Sequence, residues 1–180
     1  NLGPDHTLNV TNGTSLNGGV FFEDGGLLEL DQPFNPSDLP PMNGQHGTLR
    51  IFNSLNLGTS TWTIPAALDA IELNQSNQGG STDPAIVIEN GRIEGVPNQS
   101  INIPGSYATE VPVLKNLTLA VDLNLLDTYA FAEIQSRVIL DNATIHIMTG
   151  PSKDTLQSLI RHGELRIAAD GHLLGQGTIR

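Results

Sequence analysis

The chain contains no cysteine. Its fold therefore owes nothing to disulfides, and no thiolate metal site is open to it. Basic residues are scarce: eight Lys and Arg stand against 19 Asp and Glu, for a net charge of −11. Nucleic acid demands clustered cations to meet its phosphates, and an anionic membrane surface demands the same, so neither partner is expected. Aromatic residues make up 4 % of the chain, which suits a narrow interior of Leu, Ile and Val. No run approaches the ~20 apolar residues of a membrane-spanning helix. Catalytic signatures are missing too. There is no Gly-x-Ser-x-Gly elbow and no His-x-x-x-His pair, and Gly175-Gln176-Gly177 has neither the following helix nor the Lys of a phosphate loop.

What remains is polar, turn-rich and repetitive. The 180 residues suit one domain, 1–180, with a sizeable core; they include 19 glycines and 11 prolines. HGTLRI at 46–51 returns as HGELRI at 162–167. Weaker forms of the phrase occur at 5–10 and 142–147, with apolar doublets at Leu28/Leu30, Ile71/Leu73, Ile86/Ile88, Leu117/Leu119 and Val138/Leu140. Leu8, Leu28, Leu49 and Ile71 are separated by 20, 21 and 22 residues, Leu117 and Val138 by 21, and Ile145 and Leu165 by 20. Period-2 doublets recurring near every twenty residues are the trace of a stacked repeat.

Turn chemistry follows nearly every phrase: Asn12-Gly13, Asn17-Gly18, Asp24-Gly25, Asn43-Gly44, Asn90-Gly91 and Asp170-Gly171. Such dipeptides also mark antiparallel hairpins. The same phrase returning in the same direction at fixed spacing favours parallel stacking instead. The expected fold is all-β, a single-stranded parallel β-helix or β-solenoid. About seven or eight coils at ~4.8 Å each would make a rod ~35–40 Å long. A β-sandwich is the alternative. Proline-rich or polar stretches at 31–45, 74–84 and 96–112 are expected as lateral loops. Residues 150–163 open on Pro151, close on Gly163 and carry Leu156, Leu159 and Ile160 at helical spacing, which predicts one short helix near 151–161.

ELRIAADGHLLGQGTI at 164–179 and DHTLNVTNGTSLNGG at 5–19 resemble the repeats of filamentous-haemagglutinin-type adhesins and related exported bacterial β-helix proteins. That resemblance implies right-handed coiling and an extracellular or cell-surface location. It names no ligand. The chain opens on Asn1 rather than Met, as a processed or excised product does, so an export signal would already be gone. Sequons at Asn9, Asn12, Asn74, Asn98, Asn116 and Asn142 matter only after passage through a eukaryotic secretory pathway.

Candidate chemistry is thin, and no catalytic residue or cofactor is assigned. His6, His46 and His162 each precede a strand, and His146 points outward between inward neighbours, so surface roles are expected. The densest acidic patch is Glu23-Asp24 with Glu29 and Asp31, and Asp122, Asp127 and Asp141 are spaced for neighbouring coils. Glycoside hydrolysis requires two carboxyls ~5–9.5 Å apart across a sugar, and lyase chemistry would add a base such as Lys115 or Arg137. The same acids are compatible with calcium, although no ligand set stands out. Trp62 is in phase with Ile64 as an inward pair and is read as core rather than as a sugar platform.

Residues 175–180 read as the middle of a coil and 1–4 are too short to cover one. An uncovered solenoid end is a raw strand edge. Either the chain is part of a longer rod, or the ends associate. The expected function is a structural subunit that self-associates into a fibre, matrix or adhesin through its open ends, with polysaccharide contact on its loops. A carbohydrate-active β-helix enzyme, of polysaccharide lyase or phage-tail depolymerase type, is the alternative.

Overall fold

The computed structural model describes residues 1–11, 18–74, 85–105, 111–127, 129–148 and 163–180. These form an all-β fold dominated by one 14-stranded sheet, curled into a half-barrel. Every strand pairing is parallel. The antiparallel β-sandwich is thereby excluded.

The sheet follows three ladders. The longest contains β1 (Thr7–Thr11), β3 (Leu27–Asp31), β5 (Gly47–Ile51), β8 (Leu68–Leu73), β11 (Ser100–Asn102) and β13 (Asp122–Leu125). It finishes on the last residues of β14 (Phe131–Ile147) and β16 (His172–Ile179). A second runs through β7 (Thr61–Thr63), β10 (Arg92–Glu94), the later half of β12 (Val113–Ala120), the middle of β14 and the start of β16. The third joins β6 (Leu55–Asn56), β9 (Val87–Glu89), the first half of β12, the start of β14 and β15 (Glu164–Ile167). Apart from these, β2 (Val20–Phe22) pairs with β4 (Met42–Gly44).

In-register pairing builds an unbroken column through the first ladder: Leu8, Leu28, Leu49, Ile71, Ile101, Leu123, Ile145 and Ile179. Eight levels at ~4.8 Å extend about 34 Å. The six residues between the two ends of this column are 0–1 % exposed. Leu55, Ile88, Leu114, Ile134 and Ile167 form the matching column of the third ladder, and Trp62, Ile93, Leu119 and Leu140 that of the second. The period-2 doublets form strands because alternate residues must face a shared aliphatic interior. Trp62 is buried among them, 6.3 Å from the Phe34 ring and edge-on to it.

Where one ladder bends into the next, the backbone turns left-handed. Asn90, Asn116 and Ser136 have φ of 59°, 48° and 52° between the third and second ladders, and Asn142 has 58° between the second and first. Asparagine tolerates this region better than other residues with a Cβ, because its short amide bonds locally. At such points the chain turns without leaving the sheet. β12 therefore crosses two ladders and the 17-residue β14 crosses three.

Several expectations need correction. HGTLRI and HGELRI do not stack: Leu49 lies in the first ladder, whereas Leu165 pairs with Ala132 in the third. Ile145 meets Ile179 rather than Leu165. The repeated His-Gly answers a local need at both places. A Cβ on Gly47 would lie 2.6 Å from the Phe22 ring, and one on Gly163 would strike the Leu125 carbonyl. The stretch 31–45 is no simple loop, since it holds a 3-10 turn at Pro36–Asp38 and strand β4. Within 96–112, β11 belongs to the main ladder, with Ile101 and Ile103 buried. Gln99, also buried, accepts from Val96 N–H and donates to the Pro65 and Leu68 carbonyls, pinning two turns together. The helix expected near 151–161, the loop at 75–84, His162 and the turns at Asn12 and Asn17 lie outside the described residues.

The column's energetic weight is testable by chemical denaturation. Ile71→Ala leaves a void at its centre and is expected to lower stability by about 2–5 kcal/mol. Thr61→Ala, on the exposed side of β7, should stay within about 0.5 kcal/mol of the parent.

Candidate functional site: polar columns and an open edge

The parallel register that stacks apolar residues inside also stacks polar residues outside. Alongside the main column runs another: Asn9, Glu29, Arg50, Glu72, Asn102, Asn124 and His146. Its members bond along the stack. Asn9 donates to Glu29 at 3.2 Å, Arg50 grips Glu29 at 2.7 Å and Glu72 at 2.8 Å, and Asn124 donates to Asn102 at 2.8 Å. Like charges one level apart would repel across ~4.8 Å, and none of the paired registers places two carboxylates or two Lys/Arg side chains side by side. The other charged contacts are of opposite sign: Glu89 with Lys115, and Glu133 with Arg166.

Arg50 is the best-held charge in this array. Burial alone would lower its pKa, but the bonds and charges of Glu72 and Glu29 outweigh that and raise it. On the second ladder, Arg92 joins Glu94 at 3.1 Å and Asp141 at 2.8 Å. Glu94 is held below the usual carboxylate range by its bond from Arg92 and then by Thr63.

The expected acidic groupings are dispersed by this geometry. Glu29 is engaged by Arg50, Glu23 accepts from the Asn1 amide at 3.0 Å, and Asp31 sits exposed at the end of β3. Asp122 belongs to the first ladder, Asp141 to the second, and Asp127 to the turn closed by Ala130 N–H. Lys115 is on the third ladder with Glu89 at 3.4 Å, and Arg137 is exposed beside His172. No carboxylate pair therefore faces another with Lys115 or Arg137 between them. No group of three or more His, Asp or Glu among the described residues is arranged to hold a metal ion.

Two small clusters were not anticipated from the sequence. His46 Nδ1 lies 2.9 Å from Asp69 Oδ2, with Asp24 Oδ1 3.9 Å from Nε2. Asp122 accepts Thr144 N–H at 2.7 Å and lies 3.3 Å from His146 Nε2. Each joins residues 22–24 positions apart, one level of the stack. Three sequon asparagines, Asn98, Asn116 and Asn142, have positive φ. Backbone conformation accounts for asparagine there.

The β15–β16 edge is the apolar feature of the surface. Ile167 and Ile179 continue the buried columns of Ile134 and Ile145, yet are 49 % and 53 % exposed. Each lies on a strand whose partner is β14. Among the described residues, no helix is long and apolar enough to cross a membrane. No protein-family model, curated protein or solved structure matches the chain.

Two predictions follow from the charge geometry. Arg50→Ala leaves Glu29 and Glu72 unneutralised and is expected to lower stability by about 1–3 kcal/mol; Arg50→Lys should recover only part, because an ammonium lacks the fork that holds both carboxylates. Asp69, by its hydrogen bond and its charge, raises the His46 pKa. An NMR titration should find the His46 midpoint above the ordinary ~6.5, with Asp69→Asn lowering it. The stabilising effect is complete below the unfolded-state value and fades as pH rises through the folded-state one.

Proposed function

We propose that the protein is a structural β-solenoid subunit, exported to the extracellular space or cell surface, which self-associates into a fibre, matrix or adhesin. In this reading the curled sheet closes into a single-stranded, right-handed coil, and its stiffness is its use. The observation that carries the proposal is the eight-residue column from Leu8 to Ile179, a continuous aliphatic stack in one direction. Backbone hydrogen bonds parallel to such a column resist bending and pulling along its length.

The outer columns support the same reading. Their carboxylates are engaged with Arg, Lys, Asn and Thr at neighbouring levels, as befits a surface that holds itself together. The resemblance of 5–19 and 164–179 to exported adhesin repeats supplies the location. The exposed Ile167 and Ile179 supply a reason to associate.

Sedimentation velocity and negative-stain imaging at rising concentration test this. Filaments or elongated oligomers should accumulate, and aligned specimens should diffract at ~4.8 Å along the fibre axis. A chain that stays monomeric at every concentration and instead releases reducing ends or unsaturated products from acidic polysaccharides would overturn the proposal in favour of a carbohydrate-active enzyme.

A further inference from the structure

The two extremes of the main ladder differ in both charge and shape. The first 49 residues carry six carboxylates and no Lys or Arg, whereas residues 150–180 carry four Lys and Arg against three acids. Near one extreme lie Glu23, Asp24, Glu29 and Asp31; on the other edge lie Arg166 and Arg180. The stacked columns are also open at the two places. Within the described residues β1 is paired with β3, and β15 and β16 are each paired with β14. Ile179 is the last member of the column that begins at Leu8, and it is half-exposed where the six members between are sealed.

Resting on the self-association reading, we infer that the β16 edge of one copy binds the β1 edge of a second copy, head to tail. The register is set by the columns themselves. Ile179 meets Leu8 of the second copy, Thr178 meets Thr7, and Arg180 meets Asn9. Arg180 already lies in the outer column: its N–H bonds the Ile145 carbonyl at 3.0 Å and its carbonyl accepts Ile147 N–H at 2.8 Å, which sets it beside His146. Continued onto Asn9 and then Glu29, that column keeps like charges apart across the joint. A one-residue slip would send every inward side chain outward, so this register is the one that keeps the apolar column continuous.

The contact uses two different surfaces, so it does not close on itself and propagates as a filament. It adds a strand to an exposed edge, with backbone bonds for affinity and Ile179 and Ile167 as apolar anchors. The opposed charges favour approach and are weakened by salt, since screening at 0.15 M acts over ~8 Å.

A complementation experiment on the full chain tests the inference. Ile167→Asp/Ile179→Asp disables one edge. Asn9→Pro disables the other: His6 carbonyl takes Leu27 N–H, so alternation aims the N–H of residue 9 away from β3. Each variant alone should need at least about tenfold higher concentration to assemble, while an equal mixture should give a discrete 1:1 complex by light scattering. Arg180→Glu should raise the assembly concentration at low salt and have little effect at high salt. If the native chain assembles and the Ile167→Asp/Ile179→Asp variant assembles equally well, the head-to-tail contact is wrong and association is lateral. If the native chain never assembles, the self-association reading itself fails. Hydrogen exchange on the native chain serves where a variant does not fold: assembly should slow exchange at 7–11 and 172–179, and slowing elsewhere without these segments contradicts the inference.

Discussion

The structure depends on in-register parallel pairing, which sets each side chain directly over its counterpart one level away. The rule has no exemptions for chemistry. It rewards aliphatic residues that repeat inside, because each buries its neighbour. Outside, it penalises any charge that repeats. A solvated face of one sign would be self-repelling at ~4.8 Å spacing. Hence the polar columns are written in Asn, Thr, Ser and Gln, and where charge enters it alternates, as in Glu29, Arg50 and Glu72. The low charged fraction of 15 % is a consequence of this stacking. The excess carboxylates gather in turns and near strand ends, as at Asp5, Asp24, Asp69 and Asp127, where no ladder forces them together.

The bends between ladders carry a second constraint. A strand that passes from one ladder to the next must turn sharply without abandoning its hydrogen bonds. A single left-handed residue does this, and asparagine is the usual choice: Asn90, Asn116 and Asn142. As the sheet proceeds, such corners replace longer turns, so three-residue strands give way to the 17 residues of β14. The asparagine content thus reflects backbone geometry more than glycosylation.

Much of this was legible in the sequence. The period-2 doublets at Leu8, Leu28, Leu49 and Ile71 kept a spacing of 20–22 residues, so both the facing and the stacking of that region could be read directly. The step from Ile71 to Ile101 is 30 residues, lengthened by the polar stretch after Asn74, and there the count loses its phase. Leu165 was misplaced for a different reason. Its phrase copies that around Leu49, but a phrase records which side faces inward, not which ladder the strand joins. The ion pairs were opaque, because partners such as His46 and Asp69 become neighbours only once the register between levels is known. The candidate acids failed as a site on the same ground: Asp122 and Asp141 share a spacing but not a ladder.

Function, on this account, is the stack itself and what it can be added to. The most direct test of the stack is a methyl-labelled NMR experiment on the Leu and Ile side chains of the main ladder. The account predicts an ordered chain of through-space contacts, Leu28 to Leu49, Leu49 to Ile71, Ile71 to Ile101, Ile101 to Leu123 and Leu123 to Ile145, each between levels ~4.8 Å apart. Contacts that skip members of this chain, or strong α-proton contacts across antiparallel strands, would contradict it.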